Sequence, residues 1–281
     1  MVTAGSGSGP EEPDRPLILV VEDNAANQRV ATLMLDQLGY EVDVAADGSR
    51  AVAAITRAEY AAVLMDCQMP GMDGYEATAE IRRIQGAGHR TPIIAMTAGA
   101  MMGDEERARE AGMDDFLTKP VSLAELGVVL SHWVPGERAG GAPRRAATLQ
   151  EPPAPAAAAA TAAPAVLDAA ILAGLVEFQS GGREDLLGGL VDLFLETARH
   201  RLCELRDVVA AGDLLAAARL AHGLKGTCAN MAATGMAGTA EQLERAAKSG
   251  DQPAVAAAIS MLEVELDQVG AALREVFPRA Q

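Results

Sequence analysis

The chain has little of what several large classes of protein depend on. Of its 281 residues only three are cysteine and one is tryptophan, and aromatics make up 3%. Cys67, Cys203 and Cys228 are odd in number and widely spaced, so they suggest neither a disulfide framework nor a zinc-ligand pattern. They read as reduced thiols, which points to a cytoplasmic protein. No uncharged apolar run approaches the roughly 20 residues that a membrane span needs, so no membrane insertion by this chain is expected. The first residues, MVTAGSGSGPEEPDRP, lack the apolar core of a secretory signal and read as a disordered segment over 1–16. Positive charge is scarce as well. Lys and Arg number 23 against 39 Asp and Glu, a net charge of −16 with no basic stripe, so nucleic acid is not an expected partner. No glycine-rich nucleotide loop follows a strand; GSGSG precedes the first one.

What is present is an apolar fraction of 49% and enough length for two domains. Short apolar runs at 17–21, 41–45, 61–65, 92–96 and 114–118 alternate with amphipathic stretches at 24–38, 48–58, 75–84, 103–111 and 123–132. Five such units predict a doubly wound α/β domain with a five-stranded parallel sheet over 17–134. Gly39, Gly86/Gly88 and Gly112 stand where its helices should stop. From 135 to 165 the composition shifts to Pro, Gly and Ala with almost nothing to bury, which reads as a flexible linker. At about 3.1 Å per residue an extended chain of that length spans on the order of 90 Å. Beyond it no strand pattern appears. Helical stretches at 168–178, 183–211, 213–231, 235–248 and 252–276 predict an antiparallel helical bundle over 166–278, with Asp213, Thr234 and Asp251 as N-caps.

The polar residues of the first region fall just past the apolar runs. Glu22 and Asp23 follow LILVV, Asp66 follows AAVLM, Thr97 follows PIIAM, and Lys119-Pro120 follows DDFLT. Carboxyl ends of strands in an open parallel sheet share one crevice, so these residues should meet there. Three carboxylates in one crevice repel unless a cation sits among them. A hard ion that takes one or two carboxylates, phosphate oxygens and several waters is Mg²⁺. Carboxylates, a hydroxyl and an ammonium around such an ion are equipment for phosphoryl transfer, with Asp66 as nucleophile.

The segments VEDNAANQRVA, LMDCQMPGMDGYE and PIIAMTAGAMMGDEERAREAGMDDFLTKP resemble the receiver domains of hybrid histidine kinases, across nearly all of 17–133. That resemblance implies a flavodoxin-like fold with Asp66 as phosphoacceptor. It also implies Asp23 and Asp66 as metal ligands, Glu22 acting largely through water, and the Gln68 carbonyl completing the set. Thr97 would donate to a phosphoryl oxygen, Lys119 would supply positive charge, and Phe116 would be the switch aromatic. The Lys119-Pro120 bond is implied to be cis. Gly99 departs from the family's usual asparagine, which touches only the loop after Thr97. Haloacid-dehalogenase phosphatases also phosphorylate a strand-end aspartate, but they need a second acid two residues later, where this chain has Gln68.

Four histidines exist: His89, His132, His200 and His222. At roughly 100° per residue, Leu220, Leu224, Cys228 and Met231 share one face of a helix from which His222 points away, toward Ala218, Lys225, Gly226 and Ala229. An outward imidazole among small residues, one turn from a lysine that offsets phosphate charge, suits a phosphoryl carrier. AHGLKGTCANMAA resembles the signature of histidine-phosphotransfer (HPt) domains, with Gly223 and Ala232 departing from the commoner residues. The other three histidines have no comparable context.

Together the resemblances imply a phosphorelay in which Asp66 and His222 exchange a phosphoryl group. An upstream histidine kinase core would feed it and a separate downstream response regulator would receive it. Without an ATP-binding domain, this chain is not expected to make phosphohistidine from ATP. It reads as a detached relay protein or as the carboxyl-terminal piece of a hybrid kinase. The alternative is a phosphorylation-gated binding adaptor that does not use His222.

Overall fold

The computed structural model describes residues 15–86, 88, 90–97, 102–134, 166–169, 171–173 and 184–277. His89, Gly99, the expected linker at 135–165 and most of the expected N-terminal segment lie outside the described residues, as does the end of the helix expected at 168–178.

The first unit holds five strands: β1 (Leu17–Val21), β2 (Glu41–Ala45), β3 (Ala62–Asp66), β4 (Ile93–Thr97) and β5 (Asp115–Thr118). They form one sheet in the order β2-β1-β3-β4-β5, every pair parallel. Five helices alternate with them: α1 (Ala25–Gln37), α2 (Gly48–Ile55), α3 (Gly74–Gln85), α4 (Met102–Ala111) and α5 (Leu123–Trp133). Strands covered by helices on both faces read as unbroken apolar runs. Accordingly β3 and β4 are buried at every position, while the edge strand β2 is mostly exposed. The chain leaves β1 for β2 on one side and returns to β3 on the other, so the strand order reverses at β1/β3. That reversal opens a crevice at the strands' carboxyl ends.

Local chemistry sets the helix ends. Asp47 accepts from the Arg50 N–H at 2.8 Å to start α2. Asp73 and Glu76 form a reciprocal capping box at α3. Gly39, Gly86 and Gly112 take positive φ where α1, α3 and α4 stop, a conformation that Gly88 does not adopt. Far from the crevice, the half-buried Arg82 donates to the Gly112 and Thr91 carbonyls and pairs with Asp114 at 2.5 Å, fastening α3 to the approaches of β4 and β5.

Two strands run one residue further than the apolar runs suggested, ending on Asp66 and Thr97. The ladder is a backbone property: Asp66 pairs with Met96 and Thr97 with Thr118, whatever their side chains. Arg15 and Pro16, just before the expected boundary at 16/17, are bonded to the first unit. Arg15 donates to the Asp36 carboxylate at 2.9 Å and the Gly39 carbonyl at 3.1 Å, and Pro16 accepts from the Glu41 N–H.

The second unit is a bundle of α6 (Glu184–Ala210), α7 (Leu214–Asn230), α8 (Thr234–Ser249) and α9 (Gln252–Val276). Each helix packs on the next and α9 closes on α6. Connections this short force antiparallel neighbours. Phe194, Leu205, Leu224, Leu243, Val255, Leu262 and Leu273 make a core that is at most 1% exposed. A methyl at Gly270 would lie 3.1 Å from Leu195, so α9 and α6 approach closely there. Asp213 and Asp251 cap α7 and α9 as expected, accepting from the Ala216 and Ala254 N–H groups. Thr234 does not cap α8. It is the first helical residue, and Ala233 occupies the cap position with no side-chain hydrogen bond. No described helix is long and apolar enough to cross a membrane.

Candidate metal centre and histidine site

The β1/β3 reversal gathers three acids. Each of Glu22, Asp23 and Asp66 offers a carboxylate oxygen within 4.8 Å of the others'. Glu22 follows β1, and its N–H donates to the Ala45 carbonyl at 3.1 Å while its own carbonyl accepts from Gln28 Nε2 at 2.7 Å. Asp66 ends β3, and its Oδ1 accepts from the Gln68 N–H at 3.2 Å. Glu22 is 2% exposed and Asp66 7%. Two unit charges at such separations repel by roughly 3–4 kcal/mol at an effective dielectric near 20. Three partly buried acids held together could hold a hard divalent cation.

The other sequence candidates take places around this crevice. Thr97 ends β4 and is buried. Lys119 follows β5 at the same edge of the sheet, and its bond to Pro120 is cis. Gln68 lies two residues past Asp66 in the loop that leads to α3. Phe116 stands apart from the acids, 40% exposed on β5. Beside it Asp115 accepts from the indole N–H of Trp133, the only tryptophan, at 2.8 Å.

In the bundle, His222 lies midway along α7 with its side chain 15% exposed, less open than its small neighbours suggested. Beside it lies a residue that sequence reasoning missed. Glu244, on α8, places both carboxylate oxygens 3.2 Å from His222 Nδ1. The same carboxylate pairs with Lys248 Nζ at 2.6 Å and lies 3.9 Å from Lys225 Nζ. Burial opposes ionisation of Glu244, but the hydrogen bonds and charges of His222 and Lys248 outweigh it and hold the carboxyl down at about 2. With Nδ1 turned to Glu244, Nε2 is the nitrogen on the opposite side of the ring. Lys225, singled out from sequence, therefore belongs to a four-residue cluster with His222, Glu244 and Lys248. Nearby, burial and the Glu265 carboxylate push the Cys228 thiol far up, so it is inert.

In the chain, a parallel sheet with an acidic crevice at its reversal is thus followed by a helical bundle with a carboxylate-held histidine. Residues 18–131 match the model of the response regulator receiver domain, and residues 189–272 match that of the Hpt domain. The chain carries a receiver domain followed by an Hpt domain, the pairing used in two-component phosphorelay signalling. Among curated relatives, the hybrid signal transduction protein dokA of Dictyostelium discoideum is 42% identical over 44% of this chain and 7% of its own length. The sensor protein GacS of Pseudomonas syringae pv. syringae is 39% identical over 46% of this chain and 15% of its own. The chain thus spans only a small part of these relatives. Among solved structures, the receiver domain of the sensor histidine kinase PA1611 from Pseudomonas aeruginosa PAO1, with magnesium coordinated in its active-site cleft, is 50% identical. It covers 44% of this chain and 100% of that one, with a TM-score of 0.41. The co-crystal of Saccharomyces cerevisiae Ypd1 with the Ssk1 receiver domain matches at 29% identity, 43% and 89% coverage and a TM-score of 0.41.

Proposed function

We propose that the chain relays a phosphoryl group between Asp66 of the receiver domain and His222 of the Hpt domain. A histidine kinase core supplies the phosphoryl group and a separate response regulator takes it onward. Glu22, Asp23, Asp66 and the Gln68 carbonyl would hold Mg²⁺, which neutralises charge developing on the phosphoryl oxygens. The chain's own groups do the rest. Asp66 is the nucleophile, Thr97 donates a hydrogen bond to a phosphoryl oxygen and Lys119 supplies a second positive charge. Thr97 and Phe116 report the loaded state to partners. At His222 the acceptor is Nε2, because Nδ1 faces Glu244, and Lys225 offsets phosphate charge.

The observation that carries the reading is the Glu22, Asp23 and Asp66 cluster, within 4.8 Å, in a chain that also holds a histidine with one nitrogen engaged. The test is incubation of the full chain with Mg²⁺ and a phosphorylated kinase core or a small acyl phosphate. Label is expected on wild type and not on Asp66→Asn. Acid-labile label is then expected on His222 and not on His222→Gln. Label confined to Asp66 would favour the adaptor in which phosphorylation alters binding through Phe116.

A further inference from the structure

Glu22, Asp23 and Asp66 stand together although their charges push them apart. Asp66 is fixed by the sheet, since it ends β3 and pairs with Met96. Glu22 and Asp23 lie past the end of β1, whose register with β2 stops at Val21 and Ala45. Something besides strand pairing must hold that pair against the repulsion.

Two elements grip Glu22 by its backbone. Its N–H donates to the Ala45 carbonyl at 3.1 Å, and its carbonyl accepts from Gln28 Nε2 at 2.7 Å. The second bond is at the short end of the range for an N–H donor and an oxygen. It comes from the first turn of α1, a helix seated by buried Val30, Leu33 and Leu35. The Glu22 carbonyl belongs to the peptide unit that runs to Asp23, and that unit is planar. Fixing its oxygen therefore fixes the direction in which the chain leaves for Asp23.

We propose, given the Mg²⁺ site described under the proposed function, that Gln28 is a positioning residue for that site. Its amide sets the peptide between Glu22 and Asp23 so that both acids stay beside Asp66 in the ion-free chain, and Mg²⁺ binds more tightly as a result. An ion that finds its ligands gathered loses less affinity to ordering them. Groups that orient a ligand without touching the metal commonly set its affinity by tenfold or more. A neutral amide suits the task. Lysine or arginine at this place would offset the acids by itself and compete with the ion. Glutamate would set acceptor against acceptor and add a fourth negative charge.

The test is calorimetric titration of the full, unphosphorylated chain with magnesium chloride. Wild type is compared with Gln28→Met, which keeps the length of the side chain without its donor. Gln28→Asn is the second variant; it keeps the amide but is one carbon shorter. Both should bind Mg²⁺ about fivefold or more weakly, with helical content unchanged. Labelling of Asp66 by a small acyl phosphate should fall in both at limiting Mg²⁺ and recover toward wild type at saturating Mg²⁺. A residue that only stabilised the fold would lower the melting temperature in chelator and leave the affinity alone. Equal affinity in the three proteins, whatever their stability, would overturn the positioning role while leaving the metal site standing. If Gln28→Met does not fold, Gln28→Asn decides alone. Wild type that takes up no Mg²⁺ would overturn the site itself, which is a separate failure.

Discussion

Gly74 and the Asp66 carbonyl are packed so closely that a methyl group on Gly74 would lie 2.1 Å from that oxygen. The Gly74 N–H also donates to the Cys67 carbonyl at 3.2 Å, so the start of α3 is locked against the end of β3. The strand end that carries Asp66 is held in place by the lack of one carbon atom. Gly74→Ala must therefore push backbone against backbone. The expected outcome is a loss of roughly 2 kcal/mol or more, seen as an earlier unfolding transition in Trp133 fluorescence. Asp66 labelling should fall with it, even below the melting temperature.

The acid cluster makes a prediction about the ion. Wild type should gain stability by binding Mg²⁺, while Asp23→Asn, short of one carboxylate, should gain little. Thermal melts in chelator and in millimolar Mg²⁺ give both numbers. An equal gain in the two proteins would argue that Asp23 is no ligand.

Acid should weaken the bundle through Glu244. Its carboxyl is lowered from 4.5 to about 2 in the folded chain, so the unfolded chain binds the proton more readily. The stabilisation is complete above about pH 4.5 and fades as pH falls toward 2. Acid unfolding of wild type and Glu244→Gln, followed by circular dichroism, should differ across that window. The variant should lack this component of the pH dependence.

Ala232 tests a departure seen in sequence. It has φ of +60° and is 0% exposed, at the turn where α7 gives way to α8. Its carbonyl accepts from the Asp168 N–H at 2.7 Å, so the turn cannot easily relax. Ala232→Gly trades backbone strain of about 1 kcal/mol against a lost buried methyl of similar worth, and should leave stability within about 1 kcal/mol. Ala232→Val adds both strain and volume and should cost about 2 kcal/mol or more. Urea unfolding of the two variants separates these effects.

Much of this was legible because β3 and β4, buried on both faces, advertise themselves as apolar runs, and because Asp66 and Thr97 interrupt those runs at their ends. The interruption misled by one residue: polarity ended the pattern before pairing ended the strand. At α8 a threonine in the right place suggested a cap, yet Thr234 is helical and the turn is set instead by left-handed Ala232. Glu244 was missed for a different reason. Its meaning depends on His222, 22 residues earlier on another helix. Helical periodicity marks such a residue as odd, but only packing supplies its partner.

The distribution of two rare residue types has a practical sequel. Trp133, the only indole, belongs to the receiver domain, and Cys203, in α6, is the one exposed cysteine beside buried Cys67 and Cys228. A maleimide dye should attach at that single thiol without any engineering. The natural chain then carries a donor on one module and an acceptor on the other. The distance between the two labels then becomes measurable by energy transfer in the unaltered protein.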